Sequence, residues 1–195
     1  MTDGLISTVR SGDRTLLIRR LREDDRDALL AFGAALPEDD WLYLDVDLQT
    51  PATITRLMNA VEARNWRQIV AVDGPLIVGY ANVRQLPGWK SHVGDIVLVL
   101  RDDYRRRGVG SALASAVIEV AGELPVSKLI LEIVEEQLAG RLIFKRLGFR
   151  LEGLLEDHAL DYLGNARNLV VLSYHLPSGP GQATAVLDRQ PGAVR

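Results

Sequence analysis

The sequence predicts an α/β domain in which a mixed sheet is flanked by helices. Three observations carry this expectation. Short apolar runs rich in Val, Ile and Leu, such as VGDIVLVL (93–100) and KLILEIV (128–134), read as strands buried in a sheet. Between them Ala112, Leu113, Ala116, Val117, Val120, Ala121 and Leu124 recur at helical spacing, which is one helix face laid on that sheet. RQIVAV and PLIVGYANV, joined by Asp73-Gly74, form a hairpin signal.

The elements follow in order. The first dozen residues leave two readings open, because STVRSGDRTLLIRRL fits either a short hairpin turning at Ser11-Gly12-Asp13 or a loose lead-in. TLLIRRL is a strand. Asp24 or Asp25 caps a helix through about Leu36, with Ala28, Leu29 and Phe32 on its apolar face. Thr50-Pro51 starts a second helix near 51–64. Three strands follow, then the helix described above, then the strand 128–134. A helix near 137–147 stops at Gly148, a suitable left-handed residue. FRLEGLLED and NLVVLSYHL close the chain as two strands around the turn Tyr162-Leu163-Gly164-Asn165. Residues 1–14 are a lead-in, residues 15–176 the domain, and the Pro- and Gly-rich residues 177–195 a peripheral tail.

Composition narrows the function. A chain of 195 residues with 47% hydrophobic and 25% charged residues fits one globular core. Net charge is −3, so no global basic field draws it to nucleic acid or to an anionic membrane. Of the 23 basic residues only Lys90, Lys128 and Lys145 are lysines, an arginine bias associated with GC-rich bacterial genomes. The absence of cysteine excludes a thiolate metal site, a disulfide framework and an acyl-cysteine intermediate. His92 and His175 have no companions that would mark metal ligation. With no signal peptide and no run of about 18 apolar residues, a soluble cytoplasmic protein is expected.

Against that acidic background RDDYRRRGVGSAL (101–113) concentrates positive charge at one point. The helix starting near Val109–Ser111 has first-turn N–H groups with no intrahelical partner, and its macrodipole places about +0.5 charge there. Gly108 and Gly110 lack Cβ, so phosphates can approach those amides, and Arg105, Arg106 and Arg107 add charged donors. The combination suits a pyrophosphate; the plain alternative is a solvated basic turn. A dinucleotide fingerprint would need a further glycine near Leu113, and a P-loop would need a closing Gly-Lys-Ser/Thr; neither is present.

These residues resemble the central motif of the GCN5-related N-acetyltransferase (GNAT) superfamily, Arg/Gln-x-x-Gly-x-Gly/Ala after a buried strand, matched by Arg105, Gly108 and Gly110. LEIVEEQLAGRLIFKRLGFRLEG resembles the second block of that family, ending in Gly148-Phe149, and the order of elements agrees over roughly residues 15 to 176. The resemblance implies a mostly antiparallel sheet with one splayed parallel strand pair, 93–100 and 128–134, that holds acetyl-coenzyme A. Backbone of Leu98, Val99 and Leu100 would pair with the pantetheine arm, and the amides of Arg106, Arg107, Gly108, Val109, Gly110 and Ser111 would hold the pyrophosphate. Gln137 stands where the family usually has asparagine. Phe144 stands where it usually has the tyrosine thought to protonate the departing thiolate, so here the thiolate leaves unprotonated or takes its proton from another group or water.

Transfer to an amine needs a proton acceptor. Asp95 and Glu132 each interrupt an apolar strand, and burial would raise either carboxyl towards neutrality. The plain reading of each is a strand-end carboxylate paired with arginine. His158 is a further acid or base candidate near the acceptor side, its plain reading a partly exposed histidine; Tyr162 and Tyr174 could supply the missing hydroxyl, the plain reading of each being a packing tyrosine in the last hairpin. Trp41 and Tyr43 lie in an acidic run (Glu38, Asp39, Asp40, Asp45, Asp47) that would favour a cationic amine. The sequence is therefore read as an N-acetyltransferase using acetyl-coenzyme A and a small-molecule, peptide or protein amine in one ternary complex, without a metal, as a possible homodimer. The rival is a non-catalytic acyl-coenzyme A-binding module, a reading that Phe144 sustains.

Overall fold

The computed structural model describes residues 4–38 and 47–177, so Trp41, Tyr43, Asp39, Asp40, Asp45 and all but the first residue of the expected tail lie outside the described residues. Eight strands form one sheet in the order β1-β2-β3-β4-β5-β6-β8-β7. β1 (Leu5–Ser11) and β2 (Arg14–Arg20) form an antiparallel hairpin turning at Gly12, whose φ is +63°. Of the two readings left open by the sequence, the hairpin is the one observed.

α1 spans Arg26–Ala34 after a short turn, Glu23–Asp25. The Asp25 carboxylate accepts from the Arg22 amide at 2.8 Å and from the Arg19 guanidinium at 2.6 and 2.7 Å, so the expected aspartate fixes the chain just ahead of the helix. α2 spans Pro51–Asn59, with Thr50 as N-cap and Pro51 in the first turn. It is five residues shorter than the expected 51–64. Only Ile54, Leu57 and Met58 reach the core, and the turn from Ala60 to Ala63 redirects the chain into the next strand.

β3 (Trp66–Asp73) and β4 (Leu76–Gln85) pair as the hairpin expected at Asp73-Gly74. β5 (Val93–Leu100), α3 (Val109–Ala121), β6 (Lys128–Val134), α4 (Leu138–Arg146), β7 (Arg150–Leu160) and β8 (Ala166–His175) follow. α4 stops at Gly148, whose φ of +94° is the left-handed conformation a helix end needs. Every strand pair is antiparallel except β5–β6.

The sheet separates two cores. On one face α3 lays Leu113, Val117 and Val120 on Ile18, Ile69, Val83 and Ile96. On the other, Leu29 and Phe32 of α1 and Ile54 and Leu57 of α2 pack on Val70, Tyr80 and Val99. β5 is buried or half-buried throughout, as its apolar run predicts. β6 departs from expectation. Ile130 is half-buried and Glu132 is exposed, because they alternate with Leu129, Leu131 and Ile133, which face the α3 core, and no β6 residue joins the core under α1 and α2.

The β7–β8 turn is tied by one side chain. Asp161 accepts from the amides of Leu163 and Asn165 at 2.9 and 2.8 Å, from Asn165 Nδ2 at 3.0 Å and from Arg167 Nη2 at 2.9 Å. These donors, Asn165 foremost, hold its carboxyl down at about 2. A carboxyl depressed on folding stabilises the fold above its unfolded pKa of about 3.9, and the contribution fades as pH falls through the folded value. Asp161→Asn is therefore expected to lower Tm at pH 7, with the gap to wild type narrowing as pH falls from about 5 to about 2. Thermal melts across that range check this; a gap that stays constant would show that the ionised carboxylate is not responsible.

Candidate functional site

The site grows from the way β5 and β6 part. Their parallel register holds at Val93↔Lys128, Gly94↔Leu129 and Asp95↔Ile130 and goes no further, while β4 stays paired with β5 as far as Gly79↔Leu100. Among the described residues, β5 beyond Asp95 keeps β4 as its one strand neighbour and presents its other edge to the gap. Strand backbone groups alternate in direction. The Arg101 amide donates to Val78 O in β4 at 2.9 Å, so Val97 and Val99 also turn towards β4, and Leu98 and Leu100 turn towards the gap. Of the three residues expected to pair with an added strand, Leu98 and Leu100 present backbone there and Val99 does not.

The open end of this V meets the N-terminus of α3. Gly108 is its N-cap with φ +82°, a conformation that favours glycine, and no side chain caps the helix. A Cβ added at Gly108 would meet nothing within 4 Å. The two glycines therefore differ in role. A Cβ at Gly110 would lie 3.3 Å from Ile143 Cδ1, so Gly110 admits α4 against α3, and Gly108 alone leaves open space beside the first amides. Val109 is fully buried and anchors the turn, and Ser111 is exposed in the first turn.

The arginines also divide. Arg105 is half-buried; its Nε and Nη2 donate to Leu100 O at 3.3 Å and its Nη1 lies 3.1 Å from Asp102. It braces the loop against the end of β5. Arg106, at φ +59°, and Arg107 are exposed. Arg101 grips Asp103 at 3.0 and 3.1 Å and is the main cause of that carboxyl's lowered pKa, with Arg107 adding a smaller field.

Gln137 is the N-cap residue of α4 and makes no side-chain cap bond. Phe144 is 3% exposed and lies edge-on to Phe149 at 5.1 Å; Phe149 stacks on Tyr174 at 5.3 Å. Phe144 is thus a core side chain in this aromatic cluster, and Tyr174 packs as expected. His92, His158 and His175 are exposed, and Tyr162 is 52% exposed at the hairpin turn. No group of three or more His, Cys, Asp or Glu among the described residues is arranged to hold a metal ion.

Asp95 is half-buried at the apex of the V, whereas Glu132 is exposed, so burial cannot act on Glu132 as expected from its apolar strand. Strand register sets Asp95 in a row across the sheet: Trp66↔Arg84, Arg84↔Asp95, Asp95↔Ile130, Ile130↔Ser173. This face is the one packed by α1 and α2. It also carries a buried polar chain that sequence reasoning missed. Gln68 Nε2 donates to Leu57 O at 2.9 Å, Tyr80 OH donates to Gln68 Oε1 at 2.8 Å, Asn82 Nδ2 donates to Tyr80 OH at 3.3 Å, and Trp66 Nε1 donates to Asn82 Oδ1 at 2.9 Å. Burial pushes the Tyr80 hydroxyl up, so it remains a donor at all ordinary pH. The signal was available: Gln68, Tyr80 and Asn82 are polar residues inside runs whose other members are apolar.

Comparison with known proteins agrees with this geometry. A family model for the acetyltransferase (GNAT) domain matches residues 15–150. L-amino acid N-acetyltransferase AaaT of Escherichia coli K12 is 33% identical over 98 residues, which is 48% of this chain and 59% of that relative, so the match spans less than two thirds of its length. An acetyltransferase of the GNAT family from Streptococcus pneumoniae superposes with a TM-score of 0.72 at 24% identity, covering 83% of this chain and 99% of that one. The Salmonella typhimurium protein yncA, solved with its cofactor acetyl-CoA, superposes with a TM-score of 0.74 at 14% identity, covering 87% and 98%. The splayed strand pair and the matched motif residues have one common explanation: the chain belongs to the GNAT family of acetyltransferases, which are acyltransferase enzymes.

Proposed function

We propose that this protein transfers the acetyl group of acetyl-coenzyme A directly to a primary amine while both substrates are bound. The observation that carries this reading is the alignment of a free β5 edge with the uncapped N-terminus of α3, where Gly108 leaves open space. The residues fit the cosubstrate. Leu98 offers its backbone groups and Leu100 its amide to an amide-bearing arm, the Leu100 carbonyl being held by Arg105; the amides from Arg106 to Ser111 face an anion at the helix dipole, and Arg106 and Arg107 add charge around it. The name of the Escherichia coli relative puts amino acids first among the acceptors to test. Residues 15–176 as the catalytic domain, a bacterial cytoplasmic setting and a homodimer belong to the same proposal.

In the chemical step a neutral amine attacks the thioester carbonyl carbon, a C–N bond forms, and the C–S bond breaks with its electron pair leaving on sulfur. Asp95 takes the first proton, from the ammonium, which frees the amine to attack, and the second, lost once the C–N bond has formed, passes to water; its place at the apex of the V and its half-buried setting favour it over the exposed Glu132. Phe144 offers no proton, so the thiolate, of ordinary pKa about 8.5, leaves without help from α4. The same buried phenyl ring supports the second reading, a non-catalytic acyl-coenzyme A-binding module.

Acetyl-coenzyme A at about 100 times its Kd is expected to stabilise the protein by about 2.7 kcal/mol, and free adenosine at equal concentration by much less. Differential scanning fluorimetry measures both, and equal responses would count against pyrophosphate and pantetheine recognition. Release of free thiol across a panel of amines then separates enzyme from binding module. Tight binding with no thiol release over the whole panel selects the module.

A further inference from the structure

We propose that Arg84 is the residue that reads the acceptor, by pairing with a carboxylate on the same carbon as the reacting amine, so that the acceptor class is the free α-amino acid. The inference rests on the acetyltransferase reading and assigns a specificity-determining side chain to its acceptor face.

Arg84 sits directly across from Asp95 in the antiparallel β4–β5 register. Opposed residues of such a pair have Cβ atoms about 4.5–5.5 Å apart on one face of the sheet. The face is the one packed by α1 and α2: Tyr80, four residues before Arg84, and Val99, four residues after Asp95, both belong to that core. The residues that carry a cation and a carboxylate are therefore neighbours on one face, next to the point where β5 and β6 part.

Arg84 makes no ion pair among the described residues; it lies over an aromatic face, its guanidinium carbon 5.4 Å from the Trp66 ring centroid. Stacking of this kind holds the guanidinium plane while leaving its N–H fork free for a carboxylate. The ring is itself held. Trp66 Nε1 is bonded to Asn82, Asn82 to Tyr80, Tyr80 to Gln68 and Gln68 to the Leu57 carbonyl of α2. Gln68, Tyr80 and Asn82 are all at least 95% buried, so each needs its partner and the chain of bonds holds its geometry. This chain of five groups ends under Trp66 and sets the plane on which Arg84 lies.

An α-amino acid presents an ammonium and a carboxylate on one carbon, the complement of this pair. Asp95 receives the ammonium and then its proton, and Arg84 takes the carboxylate in a charge-assisted, bidentate geometry. A lysine side chain, an internal peptide amine or a simple alkylamine lacks that carboxylate and leaves Arg84 unsatisfied.

The test compares each acceptor with its uncharged derivative: the common L-amino acids, their carboxamides and the corresponding decarboxylated amines, with acetyl-coenzyme A and thiol release as readout. Wild type is expected to prefer acid over amide by about tenfold to a hundredfold in kcat/KM. Arg84→Gln is expected to erase that preference chiefly through KM for the acid, and Arg84→Lys, which keeps the charge without the fork, to restore part of it. Because Arg84 is exposed, both variants are expected to melt as wild type does. The proposal is overturned if wild type uses amides or alkylamines as well as acids, or if Arg84→Gln lowers turnover of acid and amide in equal proportion. Bound acetyl-coenzyme A with no thiol release from any acceptor overturns the acetyltransferase reading as well, whereas release with amines alone overturns only the role of Arg84.

Discussion

Gly108→Val is expected to abolish the rise in Tm that acetyl-coenzyme A produces in wild type, weakening Kd by a hundredfold or more, about 2.7 kcal/mol. Two features of residue 108 make the effect specific. Its φ of +82° is a conformation that a β-branched residue adopts only at a cost of about 1–3 kcal/mol, which for a domain of this size lowers Tm by about 5 °C. A Cβ there touches nothing within 4 Å, so no clash breaks the fold. The new side chain instead projects into the space beside the first amides of α3, where a phosphate would sit. Calorimetric titration together with melts in the presence and absence of acetyl-coenzyme A separates the two effects. A variant that melts lower yet binds with wild-type affinity would show that the loop is not the cradle. Gly110→Ala is the informative companion, since its Cβ would press on Ile143, not on a ligand, and its effect should appear in stability before binding.

Asp95→Asn is expected to lower kcat/KM by about 10²–10⁴, the usual contribution of a positioned base. The loss should be greatest at low pH, where the amine arrives protonated and must surrender a proton, and should shrink as pH rises past the pKa of the acceptor amine. A pH–rate profile of the variant beside wild type tests this, and acetyl-coenzyme A binding measured on the same variant keeps cosubstrate affinity out of the comparison. Glu132→Gln is expected to stay within a few-fold of wild type, because that carboxylate is exposed on β6 and is not desolvated. The opposite outcome, a pH-dependent loss in Glu132→Gln with Asp95→Asn near wild type, would exchange the two roles.

The elements most legible in the sequence were those whose pattern has one physical solution. VGDIVLVL has no polar face to present and lies at the centre of the sheet, and six of the seven small or apolar positions, Ala112 to Ala121, lie on one side of α3, with Leu124 joining the same core beyond its end. Gly148 ended α4 because the chain needs a positive φ there. The α2 boundary was less legible, since helical periodicity carries on through residues 60–64 while the helix stops once the chain must turn back to β3. β6 misled for a related reason: an apolar run reads as buried on both faces, and whether a helix covers the second face is not written in the run itself.

The amino-acid sequence by itself determined the cradle: the glycine that must take a positive φ, the helix dipole behind it and the arginines around it are local in the chain, because backbone conformation and charge density depend on residues a few positions apart. Only the tertiary structure decided how those parts are shared out, giving Gly108 to open space and Gly110 to Ile143, Arg105 to Leu100 and Arg106 and Arg107 to solvent. It alone brought Trp66, Arg84 and Asp95 into one row across three strands. Strand register joins residues far apart in the chain, and it is set by the packing of the whole sheet against its helices, not by any segment read alone.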